Sequence, residues 1–155
     1  MKILIFGLPG SGKTTLAKPF AKLIDGVHIN ADEVRTKYDD WDFTKKGRVR
    51  HAQRMRHLAD GVVMAGKVAV VDFVCPTYIT RLEFDADYTV WMDTIKEGPH
   101  VNTNKMFERP EEVDYHVAKW FNDTHAELVK VVENYMQKQD DIKNDRTVGT
   151  TSGRL

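Results

Sequence analysis

Short apolar runs alternate with amphipathic stretches along this chain. Ile3–Phe6 is an uninterrupted apolar run closed by Gly7, the pattern of a strand buried on both faces. Leu16, Phe20, Leu23 and Ile24 follow at helical spacing and predict a helix over 13–24, with Pro19 removing one backbone bond and kinking it. Val27–Ile29 predicts a second strand, Ala31–Lys37 a helical turn or two, and 38–43 a loop. Ala52, Met55, Ala59, Val62 and Val63 form one stripe of a helix over 45–65, ended by Gly66. Val68–Phe73 is the strongest strand, Thr77–Phe84 a short helix and Tyr88–Met92 a fourth strand. Segment 93–112 carries two prolines, two asparagines and a glycine with little periodicity, and reads as a mobile loop. Val113–Val117 predicts a fifth strand, and Phe121, His125, Leu128, Val132 and Tyr135 a long final helix. Strands alternating with helices in this way predict one α/β domain over 1–140 with a mainly parallel sheet, followed by a loosely held polar tail over 141–155.

Composition narrows the classes. A chain of 155 residues with 41% hydrophobic residues can fill one core. Its 23 basic and 23 acidic residues cancel, which argues against whole-surface attraction to nucleic acid or to an anionic membrane. No apolar run approaches the ~20 residues of a membrane span. The start does not read as a signal peptide, because its apolar run ends in glycines and a lysine. A lone cysteine, Cys75, excludes an intrachain disulfide framework and a multi-cysteine zinc site. The expectation is a soluble, cytoplasmic protein without nucleic-acid or membrane partners, a homodimer being left open.

The most specific signal is the run Gly7, Leu8, Pro9, Gly10, Ser11, Gly12, Lys13, Thr14, followed by Thr15, which matches G-x-x-x-x-G-K-[ST] between a strand and a helix. Glycines let the backbone wrap a phosphate, and N–H groups at a helix N-terminus converge on its oxygens. Lys13 is expected to reach the β- and γ-phosphates of a nucleoside triphosphate, and the Thr14 hydroxyl to ligate Mg²⁺.

In a parallel sheet the C-terminal strand ends share one ligand-binding rim, so each can be read for partners. Asp32 and Arg35 lie three apart after the second strand. They suit orientation or deprotonation of an attacking hydroxyl and bidentate grip of an anion, or else an N-cap aspartate and a surface arginine. Arg48 extends the 52–55 core stripe toward the rim, and Arg54 is a second anion-binding candidate. Lys45, Lys46, Arg50 and Arg56 read as a solvated face. Asp72 closes Val68–Val71 as an acid that holds Mg²⁺ or its water, or else as a strand-end cap. Phe73 reads as a stacking or packing aromatic and Cys75 as a small buried residue. Lys96, His100, Lys105 and Arg109 suit a lid over phosphates, with an irregular surface loop as the alternative. The six histidines show no metal-ligand spacing.

Four segments together resemble the adenylyl-sulfate kinase family: Gly7–Thr15, Asn30–Arg35, Phe43–Arg54, and Phe73–Pro76 with Arg81. Asn30 stands where that family has a first aspartate, His51 where it has an asparagine, and Cys75 where some members carry a phosphorylatable serine. The family's long lid signature and its N-terminal extension are missing, and loop 93–112 is shorter. The resemblance implies a P-loop, nucleoside-monophosphate-kinase-like fold, a five-stranded parallel sheet with helices on both faces. It also implies transfer of the γ-phosphoryl of ATP, with Mg²⁺, to the 3′-hydroxyl of adenosine 5′-phosphosulfate in sulfate assimilation. Lys13 and Asp32 would then be catalytic, Gly7–Thr15 would bind ATP, and Thr14 and Asp72 would hold the metal. Asp32, Arg35, Arg48, Arg54 and Phe73 would bind the nucleotide acceptor, Phe73 beside its adenine.

Two other readings use the same parts. One is a kinase of another small alcohol or nucleotide hydroxyl, with a polynucleotide end disfavoured by the neutral charge. The other is a nucleotide-dependent switch or ATPase acting on a protein partner. A GTPase would carry Asn-Lys-x-Asp, whereas Asn104-Lys105-Met106-Phe107 lacks the final acid.

Overall fold

The computed structural model describes residues 1–120 and 122–152, with side chains described as far as Arg146. Five parallel strands form one sheet in the order β2-β3-β1-β4-β5. They are β1 (Lys2–Gly7), β2 (Val27–Asn30), β3 (Ala69–Phe73), β4 (Tyr88–Met92) and β5 (Tyr115–Val117). The helices are α1 (Lys13–Leu23), α2 (Ala31–Tyr38), α3 (Lys45–Met64), α4 (Tyr78–Phe84), α5 (Val101–Met106) and α6 (Thr124–Ser152). This is the five-stranded parallel sheet with helices on both faces that the resemblance implies.

The apolar run of β1 makes it the central strand, since period-two alternation gives each face of the sheet its own set. Ile3 and Ile5 pack with Leu16 and Phe20 of α1 and with Leu128 and Val132 of α6. Leu4 and Phe6 pack on the other face with Ala52, Met55 and Ala59 of α3 and with Phe84. At about 25 cal/mol per Å² of apolar surface, such doubly covered strands hold the sheet together. From β1 the chain runs outward to β2 and returns through β3, then continues on the other flank with β4 and β5. The rim beside β1 is therefore the switch point where such sheets bind ligands.

Several expectations are refined. Pro19 lies inside α1 without ending it. The stretch 93–112 is no continuous loop, because α5 forms within it. Asn104 ties that segment, accepting from Gly98 N–H at 2.8 Å and donating to Gly98 C=O at 2.9 Å. The fifth strand is shorter than Val113–Val117, starting at Tyr115. The tail expected to be loosely held from Asp140 continues as helix to Ser152, although residues 137–146 are all exposed. Phe121, assigned from sequence to the stripe of the last helix, lies outside the described residues, as do 153–155. Among the described residues no helix is long and apolar enough to cross a membrane.

Candidate active site

The phosphate loop leaves β1 at Gly7, where a Cβ would stand 2.5 Å from the Met92 carbonyl oxygen, so only glycine fits. Ser11 N–H donates to the Leu8 carbonyl at 3.1 Å, and Thr94 Oγ1 donates to the Ser11 carbonyl at 2.7 Å, fastening the loop to the exit of β4. The chain enters α1 through Gly12 at φ 95°, left-handed backbone that glycine adopts without strain. The helix begins without a side-chain cap and without an acid in its first turn. Its first N–H groups, which have no intrahelical acceptor, are thus left to an anion. Lys13 Nζ donates back across the loop to the Leu8 carbonyl at 2.9 Å. Burial lowers the Lys13 pKa to about 8, against the opposing pull of Asp72 and Asp32.

A cleft of about 690 Å³ opens over this loop, lined also by Asp32, Phe43, Arg48, Asp72, Phe73 and α5 residues. At its floor, Thr14 Oγ1 donates to Asp72 Oδ1 at 3.0 Å. The β2–β3 register sets Asn30 opposite Asp72, and Asn30 Nδ2 donates to Thr14 Oγ1 at 3.2 Å and to Asp72 Oδ1 at 3.2 Å. His28 Nε2 meets Asp72 Oδ2. Sequence reading passed over His28; strand alternation, which puts it on the same side of β2 as Asn30, is the signal that marks it.

Thr14 and Asp72 offer hard oxygen donors beside the phosphate loop. Among the described residues no group of three or more His, Cys, Asp or Glu could hold a metal alone. A cation here would draw most of its ligands from phosphate and water, which is the habit of Mg²⁺. The donor set fits that ion.

Asp32 lines the cleft from the first turn of α2. It is not the helix cap: Asn30 is, its side chain accepting from Glu33 N–H at 3.1 Å. Nor is Arg35 a surface arginine. It is 4% exposed, donates to the Asp40 carbonyl at 2.9 Å and lies 4.4 Å over the Phe43 ring. Arg48 reaches the cleft wall, donating to the Phe43 carbonyl and to Thr103 Oγ1 of α5, each at 3.0 Å. Phe73, 4% exposed, packs edge-on to Phe84 at 5.5 Å and to His51 at 5.9 Å, and is among the residues that line the cleft.

Arg35 and Arg54 do not line this cleft. Arg54 donates to Asp40 Oδ2 at 2.9 Å and stacks 4.5 Å over Tyr38. Hydrogen bonds from Arg50 and then Arg54 hold the Asp40 carboxyl well below its usual range. Arg50, expected on a solvated face, is thereby committed to the same aspartate. His51, 3% exposed, has no hydrogen-bond partner on either ring nitrogen. Burial, followed by the charges of Arg35 and Arg54, lowers its pKa to about 3.

Of the four cations expected in the lid, His100 lines the cleft, joined there by Asn102, Thr103 and Met106. Lys96 and Arg109 line a separate hollow of about 190 Å³ behind Leu8. Arg109 lies 4.8 Å over Trp91 and 3.6 Å from Asp93. Cys75 is buried at φ 43°, and burial pushes its thiol up to about 12, so it is no thiolate nucleophile. Arg81 lies 4.5 Å over Phe6 and donates to the Cys75 carbonyl at 3.0 Å and the Glu108 carbonyl at 2.6 Å, a packing role. The contributions of Phe43 and of the α5 residues depend on a loop and a short helix whose placement no local pattern specifies.

The family model for adenylylsulphate kinase matches residues 1–93, ending where β4 leaves the sheet. No curated protein matches the chain by sequence. Among solved structures, Mycobacterium tuberculosis APS kinase CysC in complex with AMPPNP and APS is similar with a TM-score of 0.71 at 15% identity, over 85% of this chain and 96% of that one. The hexameric APS kinase from Thiobacillus denitrificans has a TM-score of 0.69 at 18% identity, over 86% of this chain and 29% of that one. A gluconokinase from Sinorhizobium meliloti 1021 has a TM-score of 0.58 at 14% identity, over 93% of this chain and 96% of that one. At these identities the structural likeness shows the fold.

Proposed function

The chain belongs to the adenylylsulphate kinase family, and from that premise we propose that it transfers the γ-phosphoryl group of ATP to the 3′-hydroxyl of adenosine 5′-phosphosulfate. One observation carries the reading beyond a generic kinase. One cleft is lined by the phosphate loop together with Asp32, Phe43, Arg48 and Phe73, which gives an acceptor a base, the exposed Phe43 ring and a cation beside the loop.

In this reading the uncapped start of α1 and the loop amides hold the β- and γ-phosphates, with Lys13 swinging from the Leu8 carbonyl onto them. Asp32 orients the acceptor hydroxyl and takes its proton as the O–P bond forms. Phe43 and Phe73 flank the acceptor's adenine, and Arg48 exchanges a protein carbonyl for the phosphosulfate. Arg35 backs Phe43, and Arg54 acts through Asp40 on the loop that presents Phe43. Thr14 and Asp72 would hold Mg²⁺ or its water. That ion supplies charge neutralisation on the phosphates when bound. The α5 segment excludes water from the transfer. The setting for this chemistry is the cytoplasm, in sulfate assimilation.

The test is ADP release with adenosine 5′-phosphosulfate compared with ATP alone and with a panel of other small alcohols. Release stimulated by the phosphosulfate above all others is expected. A second reading, a smaller acceptor bearing one anionic group, is favoured by one fact: of the three candidate arginines only Arg48 lines the cleft. Stimulation by a small hydroxy acid but not by the phosphosulfate would select it. Slow hydrolysis that no acceptor stimulates would favour a nucleotide-dependent switch.

A further inference from the structure

His28 belongs to none of the segments that carry the family resemblance, yet it touches the carboxylate at the floor of the cleft. Asp72 is 2% exposed, and a carboxylate so buried needs donors on both oxygens. Its Oδ1 has two, Thr14 Oγ1 at 3.0 Å and Asn30 Nδ2 at 3.2 Å. Among the described residues its Oδ2 has only a long contact from Asn30 Nδ2 at 3.5 Å besides His28 Nε2. Since an ionised carboxylate only accepts, Nε2 is the nitrogen that carries the hydrogen. Asn30 cannot replace His28, because its amide is already divided between Thr14 and Asp72 while its oxygen caps α2. With His28 removed, Oδ2 keeps only the long contact, and the carboxyl plane loses the constraint that aims its lone pairs beside Thr14.

We propose that His28 is a positioning residue of the metal–nucleotide site: its Nε2–H holds Oδ2, so that the Asp72 carboxylate faces the metal or its water next to the Thr14 hydroxyl. The proposal rests on the reading of Thr14 and Asp72 as the metal site and is independent of which acceptor is phosphorylated. Backbone geometry supports it, because β2 presents residues 28 and 30 on one side, against Asp72 of β3. Partners of this kind that orient a metal-binding group typically change metal affinity about ten- to a hundredfold when removed.

The experiment measures Mn²⁺ binding by electron paramagnetic resonance to the full chain saturated with a non-hydrolysable ATP analogue. The proteins compared are the wild type, D72A, H28L, H28N and H28Q. Analogue affinity without metal is measured alongside, and circular dichroism checks the fold. H28L is expected to weaken Mn²⁺ binding about tenfold while metal-free analogue affinity stays within about twofold. In H28Q the side-chain amide nitrogen can take the place of Nε2 and restores most of the affinity. In H28N it is too short to reach and behaves as H28L does. If H28L does not fold, the contrast between H28Q and H28N carries the same test. Equal affinity in H28N and H28Q, or wild-type or tighter Mn²⁺ binding in H28L while D72A is weakened, overturns the role of His28. A wild-type protein that adds nothing to the metal affinity of the free analogue overturns the metal site itself, and the proposal with it.

Discussion

At the nucleotide end of the cleft the backbone N–H donors face a space and the Lys13 cation is tied to a loop carbonyl, whereas around the acceptor end three arginines are already bound to the protein. The first turn of α1 starts on Gly12 with no side-chain cap, and its N–H groups need no rearrangement to meet a phosphate. By contrast Arg48 is held by the Phe43 carbonyl and Thr103, Arg35 by the Asp40 carbonyl, and Arg54 by the Asp40 carboxylate. Hydrogen bonds to charged groups contribute about 1.5–3 kcal/mol each, so an acceptor must offer Arg48 at least as much as it gives up. On the proposed reading, the backbone part of nucleotide binding is built in advance and only Lys13 must leave the Leu8 carbonyl, whereas acceptor binding has to compete with internal contacts throughout. Competition of that sort is where selectivity among acceptors arises.

The largest effects should separate the two ends. Lys13→Ala is expected to abolish turnover and to weaken ATP binding without removing it. Asp32→Ala is expected to lower kcat by about 10²–10⁴ while ATP affinity, read by calorimetry, stays within about twofold. Wild-type turnover in Asp32→Ala would remove that residue from the mechanism. Next comes the contrast between arginines. Arg48→Ala should raise the acceptor KM about ten- to a hundredfold, from the loss of one charged hydrogen-bonding group. Arg54→Ala should change it by less than about threefold, in keeping with a charge already paired with Asp40 outside the cleft. Steady-state kinetics with equal losses in the two variants would break the comparison.

A smaller effect follows from Lys13. Its pKa of about 8 lies below the ordinary lysine value because the ammonium is buried. In the free protein the cation is half lost at pH 8 and is fully present only well below it, while bound phosphate favours the charged form. The Lys13 contribution to ATP affinity should therefore be level below about pH 7, begin to fall toward pH 8 and fall by at most about tenfold per pH unit above it. The slope should vanish in Lys13→Met, and its persistence there would assign it to another group.

The smallest effect concerns stability at the acceptor end. His51 is held neutral to a pKa of about 3, so the unfolded chain takes up its proton first as pH falls below ordinary histidine values. Its contribution to stability is complete above about pH 6.5 and is lost progressively toward pH 3. Thermal melts of His51→Leu should show a shallower acid decline than the wild type. An unchanged decline would place the acid sensitivity elsewhere.

How far each end was legible from sequence follows the same division. The phosphate loop, Asp32, Asp72 and the central strand are local patterns: an apolar run, a glycine spacing, an acid at a strand end. They sit within residues 1–93, the part that the family model matches. Arg54 was misleading as a cleft residue because its partner Asp40 is fourteen residues away, on a loop whose course depends on Asp42 and Thr44. Helix α5 was hidden because six residues show no periodicity, and it is held by tertiary bonds such as those of Asn104 to Gly98. The last helix was drawn too short because beyond Met136 its exposed residues carry no apolar stripe to read. His28 went unmarked because a histidine on a strand is ordinary until the neighbouring strand supplies Asp72.

The most direct test of the central claim follows the phosphorus itself. Incubation of the protein with γ-³²P-labelled ATP, Mg²⁺ and adenosine 5′-phosphosulfate should place the label on the 3′-oxygen of the phosphosulfate, with transfer by Asp32→Ala slower by about 10²–10⁴. Label found only in inorganic phosphate, or on another alcohol in preference to the phosphosulfate, would contradict the account.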